Sequence, residues 1–231
     1  MGCPVTQIGG VSFKILIAIK TCHAYREKTD LQRRLWLHRV HGADVRFFFG
    51  RGATRDPLPD EVFIDCDDSY AGIVAKGRAM LAWAWENGYD YVFYTDDDVY
   101  IMPERLLRSD FYLYDYVGRF ASVSGTDDGT GYASGGPGIW LSRHSLQVVI
   151  DNPPNPKEGS DDRDIGLTLG AHGIKCHLDQ RYCLSREWKQ FASTLITCCS
   201  ERQSPTLKVA GPVDLNYVHQ MCYNRFGQDC R

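Results

Sequence analysis

Three consecutive carboxylates, Asp96, Asp97 and Asp98, stand in the run YVFYTDDDVYI, residues 91–101. The residues before them are apolar and aromatic, the composition of a buried strand. In an open α/β sheet, ligands bind at the carboxyl ends of the strands, where this triplet falls. On an extended chain Asp96 and Asp98 share a face and Asp97 points away. Two carboxylates on one face repel unless a cation lies between them. Oxygen ligands with little His or Cys nearby suit Mg²⁺ or Mn²⁺, which also take substrate phosphates. The plain alternative is a solvated acidic turn. A second acidic pair, Asp161 and Asp162, opens SDDRDIGLTLGAHG, where one of the two could cap the helix that follows.

The elements that must position these acids are legible in outline. SFKILIAIKT, residues 12–21, is a continuous apolar run, as in a strand buried on both faces of a parallel sheet. EKTDLQRRLWLHRV has apolar residues near helical spacing, and DVRFFFG and EVFIDCD read as short strands. DSYAGIVAKGRAMLAWAWENG reads as a helix with Asp68 or Ser69 as N-cap and Gly88 just past its end. The first hundred residues therefore read β-α-β-β-α-β, an open α/β sheet. GTDDGTGYASGGPGIWLS is glycine-dense; RHSLQVVIDN and SDDRDIGLTLGAHG read as helices, and IKCHLDQRYCL as a strand.

Composition narrows the class. The chain has 231 residues, 43% hydrophobic and 24% charged, ordinary for a globular protein. Its 26 basic and 29 acidic residues give a net charge of −3, which argues against broad binding to nucleic acid. No apolar run is long enough to span a membrane, and the N-terminus is not a signal peptide. Nine cysteines, an odd number without a CxxC pair, argue against a structural zinc site. They leave open reduced thiols or four disulfides and one free thiol. There is no P-loop and no dinucleotide fingerprint.

Six segments in order resemble the β-1,3-glycosyltransferases of the galactosyltransferase and Fringe type. They are ILIAIKT, VRFFFG, DCDDSYAGIVAKGRAMLAWAW, YVFYTDDDVYI, YASGGPGIWLS and SDDRDIGLTLGAHG, spanning about residues 13–175. The resemblance implies a GT-A fold: a single-domain α/β protein with a Rossmann-like open mixed sheet and helices on both faces. The nucleotide-sugar half would cover about residues 12–105 and the acceptor half about residues 106–231. It implies an inverting transfer from a UDP-sugar to an acceptor hydroxyl, forming a β-1,3 linkage with Mn²⁺ or Mg²⁺ as cofactor. Carried over by position, Asp162 is the catalytic base, with Asp161 an equal chemical candidate and helix capping the plain alternative for both, and Asp98 and Asp96 hold the metal. His219 is expected to complete that site, with His177 second. Ile19, Lys20, Thr21, Arg26, Lys76, Asp96, Asp97 and, in the family's double-glycine loop, Gly135 and Gly136 are expected at the donor, and Trp140 and Asp161 at the acceptor.

Lys20, Arg26 and Arg33 could meet the diphosphate or form a solvated helix face. Trp83 and Trp85 read as core. The acids in TDD, 126–128, could shape the acceptor side or a turn. Two other classes compete: a Mg²⁺-dependent nucleotidyltransferase or phosphohydrolase using Asp96 and Asp98, and a non-catalytic nucleotide- or carbohydrate-binding domain. The first has no use for the double glycine or Asp162, and the second predicts no turnover. The chain is expected to be soluble: cytoplasmic if viral or microbial, in the Golgi lumen if it is part of an anchored eukaryotic enzyme.

Overall fold

The computed structural model describes residues 5–53, 55–122, 131–155, 158–184, 194–199 and 219. In chain order the strands and α-helices are β1 (Thr6–Ile8), β2 (Val11–Phe13), β3 (Ile15–Lys20), α1 (Arg26–Leu35), β4 (Asp44–Phe49) and β5 (Glu61–Phe63). Then come α2 (Ile73–Glu86), β6 (Tyr91–Asp96), β7 (Val99–Ile101), α3 (Pro103–Leu107), β8 (Tyr116–Ser122) and β9 (Tyr132–Ser142). The last are α4 (Arg143–Asp151), α5 (Asp161–Ala171), β10 (His177–Leu178), β11 (Tyr182–Leu184) and β12 (Thr197–Cys199). The acids at 126–128 lie outside the described residues.

The main sheet has seven strands in the order β10-β8-β9-β6-β3-β4-β5. β5, β4, β3 and β6 are mutually parallel, β9 runs antiparallel to β6, and β8 antiparallel to β9. The β-α-β-β-α-β order expected from the sequence is the β3–β6 half. All six residues of β3 are buried, because helices cover both its faces. Ile15, Ile17 and Ile19 face a core shared with Leu35 and Trp36, at the end of α1 and just beyond it. Leu16 and Ala18 face the opposite core, with Met80 and Leu81 of α2, Leu146 of α4 and Ile165 of α5. Lys20 continues this second, even-numbered series, so its side chain leaves the sheet toward α2 and α5.

The register of β3 against β6 pairs Lys20 with Asp96. That pairing brings the ends of the two strands together at the carboxyl rim. α5 is tied to the same face by Arg78 of α2. Its guanidinium donates to Asp164 Oδ2 at 2.6 Å and Thr168 Oγ1 at 3.0 Å on α5, and to the Val149 carbonyl of α4 at 2.6 Å.

Two local expectations are corrected. α2 does not begin at Asp68 or Ser69: a 3-10 turn, Tyr70–Gly72, precedes it, and Gly72 is its N-cap. Its end is as expected, with Gly88 at φ 74° and its N–H donating to the Trp85 carbonyl at 3.0 Å. The glycine-dense stretch is not a loop but β9, an eleven-residue strand. Gly138 has φ 99°, and a Cβ there would lie 2.1 Å from Phe93 Cζ. This glycine makes room for an aromatic ring of the core. Gly138→Ala combines left-handed backbone strain with overpacking, so it should cost about 3 kcal/mol or more. Urea denaturation would measure it; a cost below about 1 kcal/mol would contradict this packing.

Candidate functional site

A cleft of about 360 Å³ opens where β3 and β6 end. Lys20, Thr21, Asp96 and Asp97 line it from the strand ends, and Asp68, Tyr70 and Lys76 from the entry to α2 and the helix itself. Tyr25, just before α1, lines its mouth and is 42% exposed.

The acidic triplet is not extended. β6 stops at Asp96, and Asp97 and Asp98 form a turn into β7. The alternation that would put Asp96 and Asp98 on one face ends there. Asp96 and Asp97 line the cleft, and Asp98 is buried in the turn behind them. The backbone of this turn is held from α1: Gln32 Nε2 donates to the Val99 carbonyl at 3.2 Å. Asp97 Oδ2 accepts from Thr21 Oγ1 at 2.8 Å, and its Oδ1 from Lys28 Nζ at 3.1 Å. Burial still pushes the Asp97 carboxyl above its ordinary range, against the pull of Lys28 and Thr21.

Lys20 Nζ lies 3.0 Å from Asp96 Oδ1 and donates to Asp161 Oδ2, which also accepts from the Tyr94 hydroxyl. Burial alone would lower the Lys20 ammonium. Asp96, then Tyr94 and Asp161, more than offset this and hold it well above the lysine range. Burial would likewise raise Asp161, but the Lys20 charge and hydrogen bond keep it below the carboxylate range. Burial, then Asp161, keeps the Tyr94 phenol protonated. Gly77 of α2 makes this cluster possible, since a Cβ there would sit 2.7 Å from the Tyr94 hydroxyl.

Lys76 is buried and donates to the Thr21 carbonyl and to Asp68. Asp68 also accepts from the N–H groups of His23 at 2.7 Å and Gly50 at 2.6 Å. One carboxylate thus ties the ends of β3 and β4 to α2. That is its role here, in place of the expected helix cap.

Asp161 and Asp162 open α5, after Ser160 as N-cap, and face different surroundings. Asp161 is 6% exposed and turned inward to Lys20 and Tyr94, rather than to an acceptor. Asp162 is half-buried on the β9 side. Its Oδ2 accepts from Gly135 N–H at 3.0 Å, and its Oδ1 from Ser160 Oγ and from Arg163 N–H at 2.8 Å. Gly136 lies beside the rim, its carbonyl 3.4 Å from Thr95 Oγ1.

Several expected residues lie elsewhere. Ile19, the next-to-last residue of β3, is buried with its side chain in the α1 core, so that side chain has nothing to offer a ligand. Arg26 pairs with the buried Glu61 at 3.2 Å, alongside Arg33 and Arg55, away from the cleft. Trp140 is 1% exposed and stacks on Phe111 at 3.9 Å, which rules out stacking on a sugar. His219 Nδ1 is 2.9 Å from the Tyr100 hydroxyl, and burial, then Arg39 and His38, lowers its imidazole. His177 stacks on Tyr114 at the far edge of the sheet. Among the described residues no three His, Cys, Asp or Glu side chains are grouped to hold a metal, so Asp96, Asp98 and His219 do not form one ligand set.

Solved structures share this fold. The chain superposes on a galactosyltransferase, LgtC, solved with donor and acceptor sugar analogues: TM-score 0.53, 12% identity, 90% of this chain and 95% of that one. A glycosyltransferase from Streptococcus pneumoniae, GlyE, gives TM-score 0.51 and 13% identity over 90% of this chain and 61% of its own. A glycosyltransferase involved in glycosylating the major capsid of PBCV-1 gives 0.50 and 9% over 90% and 98%. The fold is that of the GT-A glycosyltransferases. No protein-family description and no curated protein matches the sequence. Among the described residues no helix is long and apolar enough to cross a membrane.

The chemistry of the rim fits a divalent cation. The cleft lining carries three carboxylates, Asp68, Asp96 and Asp97, against two ammonium groups, Lys20 and Lys76. Both lysines are already paired with carboxylates. Asp96 Oδ1 is buried without a hydrogen-bond partner, although the Lys20 ammonium stands 3.0 Å away. Mg²⁺ and ions like it are held by one or two carboxylates plus substrate phosphates and water, so a third protein ligand is not required.

Sequence reasoning missed Tyr94, Gly77 and Lys28, and misjudged Asp68. Tyr94 carried a usable signal: two residues before Asp96 on the same strand, it shares that face.

Proposed function

We propose that the cleft binds a UDP-sugar and that the protein transfers the sugar to an acceptor hydroxyl. The observation that carries this reading is the convergence of Lys20, Thr21, Asp96 and Asp97 at one strand rim, closed by Asp68 and Lys76. It stands on a fold shared with enzymes that move sugars. Two carboxylates of the triplet, with the donor's phosphates and water, would hold Mn²⁺ or Mg²⁺, which when bound neutralises charge on the diphosphate leaving group.

Asp162 is the assigned base. It takes the acceptor hydroxyl's proton as that oxygen bonds to the anomeric carbon and the bond to the diphosphate breaks. A single displacement of this kind inverts the anomeric centre, and the resemblance in sequence points to a β-1,3 product. Asp162 suits the role because it is the more accessible carboxylate of the pair. Asp161 is committed to Lys20 and Tyr94. The protein's contribution is mainly placement: a base, an acceptor and a donor held in one geometry.

The test is a panel of UDP-sugars incubated with the protein and Mn²⁺, with and without chelator, scored for UDP release. Slow release from one sugar, suppressed by chelator, is the expected result. Silence across the panel would leave this reading without support.

A further inference from the structure

The two lysines that face the acidic triplet differ in freedom. Lys20 is locked: its side chain is 8% exposed and shared by Asp96 and Asp161. Lys28 projects from the first turn of α1, 29% exposed. Its Nζ stands 3.1 Å from Asp97 Oδ1 and 4.0 Å from Asp98 Oδ2. One ammonium thus bridges two carboxylates that are only 4% and 7% exposed. Charges so buried are not left uncompensated.

α1 cannot drift from the turn, since the buried Gln32, one helical turn beyond Lys28, is bonded to the Val99 carbonyl. The ammonium, 29% exposed, sits at the same time 4.0 Å from the centroid of the Tyr25 ring, whose face attracts a cation at the mouth of the cleft.

We infer that Lys28 is a tethered counter-ion, which occupies the Asp97–Asp98 turn and competes there with a divalent cation. It keeps the buried acids paired when no cation is bound and sets the affinity with which one enters. Entry moves the ammonium off Asp97 toward Tyr25 and the diphosphate side of the cleft. The inference rests on the cation use proposed above, but sugar transfer itself is judged separately, by UDP release.

The test is direct metal binding by the full chain without nucleotide, with Mn²⁺ titrated in and free Mn²⁺ read by electron paramagnetic resonance. Removing a positive charge 3.1 Å and 4.0 Å from the two carboxylates, on a side chain still in reach of solvent, should tighten Mn²⁺ binding about tenfold in Lys28→Met. Lys28→Gln, a second neutral variant checked for folding by circular dichroism, should behave alike. Lys28→Arg, which keeps the charge, should stay within about twofold of the parent protein. Lys14→Met removes the same charge at the opposite end of β3, where Lys14 bonds the Asn87 carbonyl, and should change nothing. Neutral variants that bind Mn²⁺ no more tightly than the parent overturn the inference, as does absence of Mn²⁺ binding in all of them.

Discussion

Lys20→Met should cost about 3–5 kcal/mol of folding stability at neutral pH, the largest loss expected of any single change at the rim. Methionine matches the stem of the lysine, so the loss comes from charge and not from packing. Without the ammonium, Asp161 keeps a carboxylate at 6% exposure with the Tyr94 hydroxyl and a backbone N–H but no positive charge to meet it, and Asp96 loses its neighbour. The pH dependence follows from the directions of the shifts. In the parent protein Asp161 is held below its ordinary value of 3.8, so its stabilisation is present above that pH and lost as pH falls through the lower, folded value. Lys20 is held above 10.5, so its contribution is complete below that pH and fades as pH rises through the folded value. In Lys20→Met the orphaned Asp161 shifts upward by burial, so the deficit should be widest near neutrality and shrink toward pH 4. Urea titrations at the two pH values measure this. Adding Asp161→Asn to Lys20→Met should recover part of the loss, giving the coupling energy of the pair. A uniform deficit across pH would mean that packing, not the ion pair, was removed.

That cluster also marks the limit of what could be read in the chain. The β3–β6 half was legible because central parallel strands are buried on both faces, and ILIAIKT and YVFYT have the unbroken apolar composition this demands. The rim position of Asp96–Asp98 followed from where the second run ends. Which acids face the cleft did not follow, because period-two alternation holds only on a strand, and the strand stops at Asp96. Lys20 and Asp161 are 141 residues apart, and their meeting depends on two non-local facts. One is the register that sets Lys20 beside Asp96; the other is the Arg78 network that fixes α5 across the sheet. Trp140 misled because glycines on one side suggested a loop. Here they permit a bulged strand to pass over Phe93, and the tryptophan after them goes inward. His219 was chosen for its place beyond the core, and composition alone could not put it against Tyr100.

Asp162→Asn should lower the transfer rate by about 10²–10⁴-fold while donor affinity stays unchanged, the range typical for loss of a positioned general base. The substitution is not silent structurally, and the size of that effect can be separated from the chemical one. Both carboxylate oxygens accept hydrogen bonds: Oδ2 from Gly135 N–H, Oδ1 from Ser160 Oγ and Arg163 N–H. An amide has one accepting oxygen, so one of these donors must face an NH₂ group, at a cost of about 1–2 kcal/mol in stability. That change would lower the unfolding midpoint modestly, but it would not remove activity from the folded fraction. Asp161→Asn is the matching control. It should weaken the Lys20 cluster and reduce stability more, yet it leaves the proposed base in place. Measured together, single-turnover transfer, binding of the donor nucleotide and the urea midpoint distinguish the roles. A rate collapse in Asp162→Asn with nucleotide binding intact assigns the proton to Asp162. If that variant transfers at the parent rate, the base is elsewhere and Asp162 serves only to pin β9 to the start of α5. A collapse confined to Asp161→Asn would mean that the inward carboxylate turns outward when substrates are bound, and the Lys20 cluster would then belong to the reaction itself.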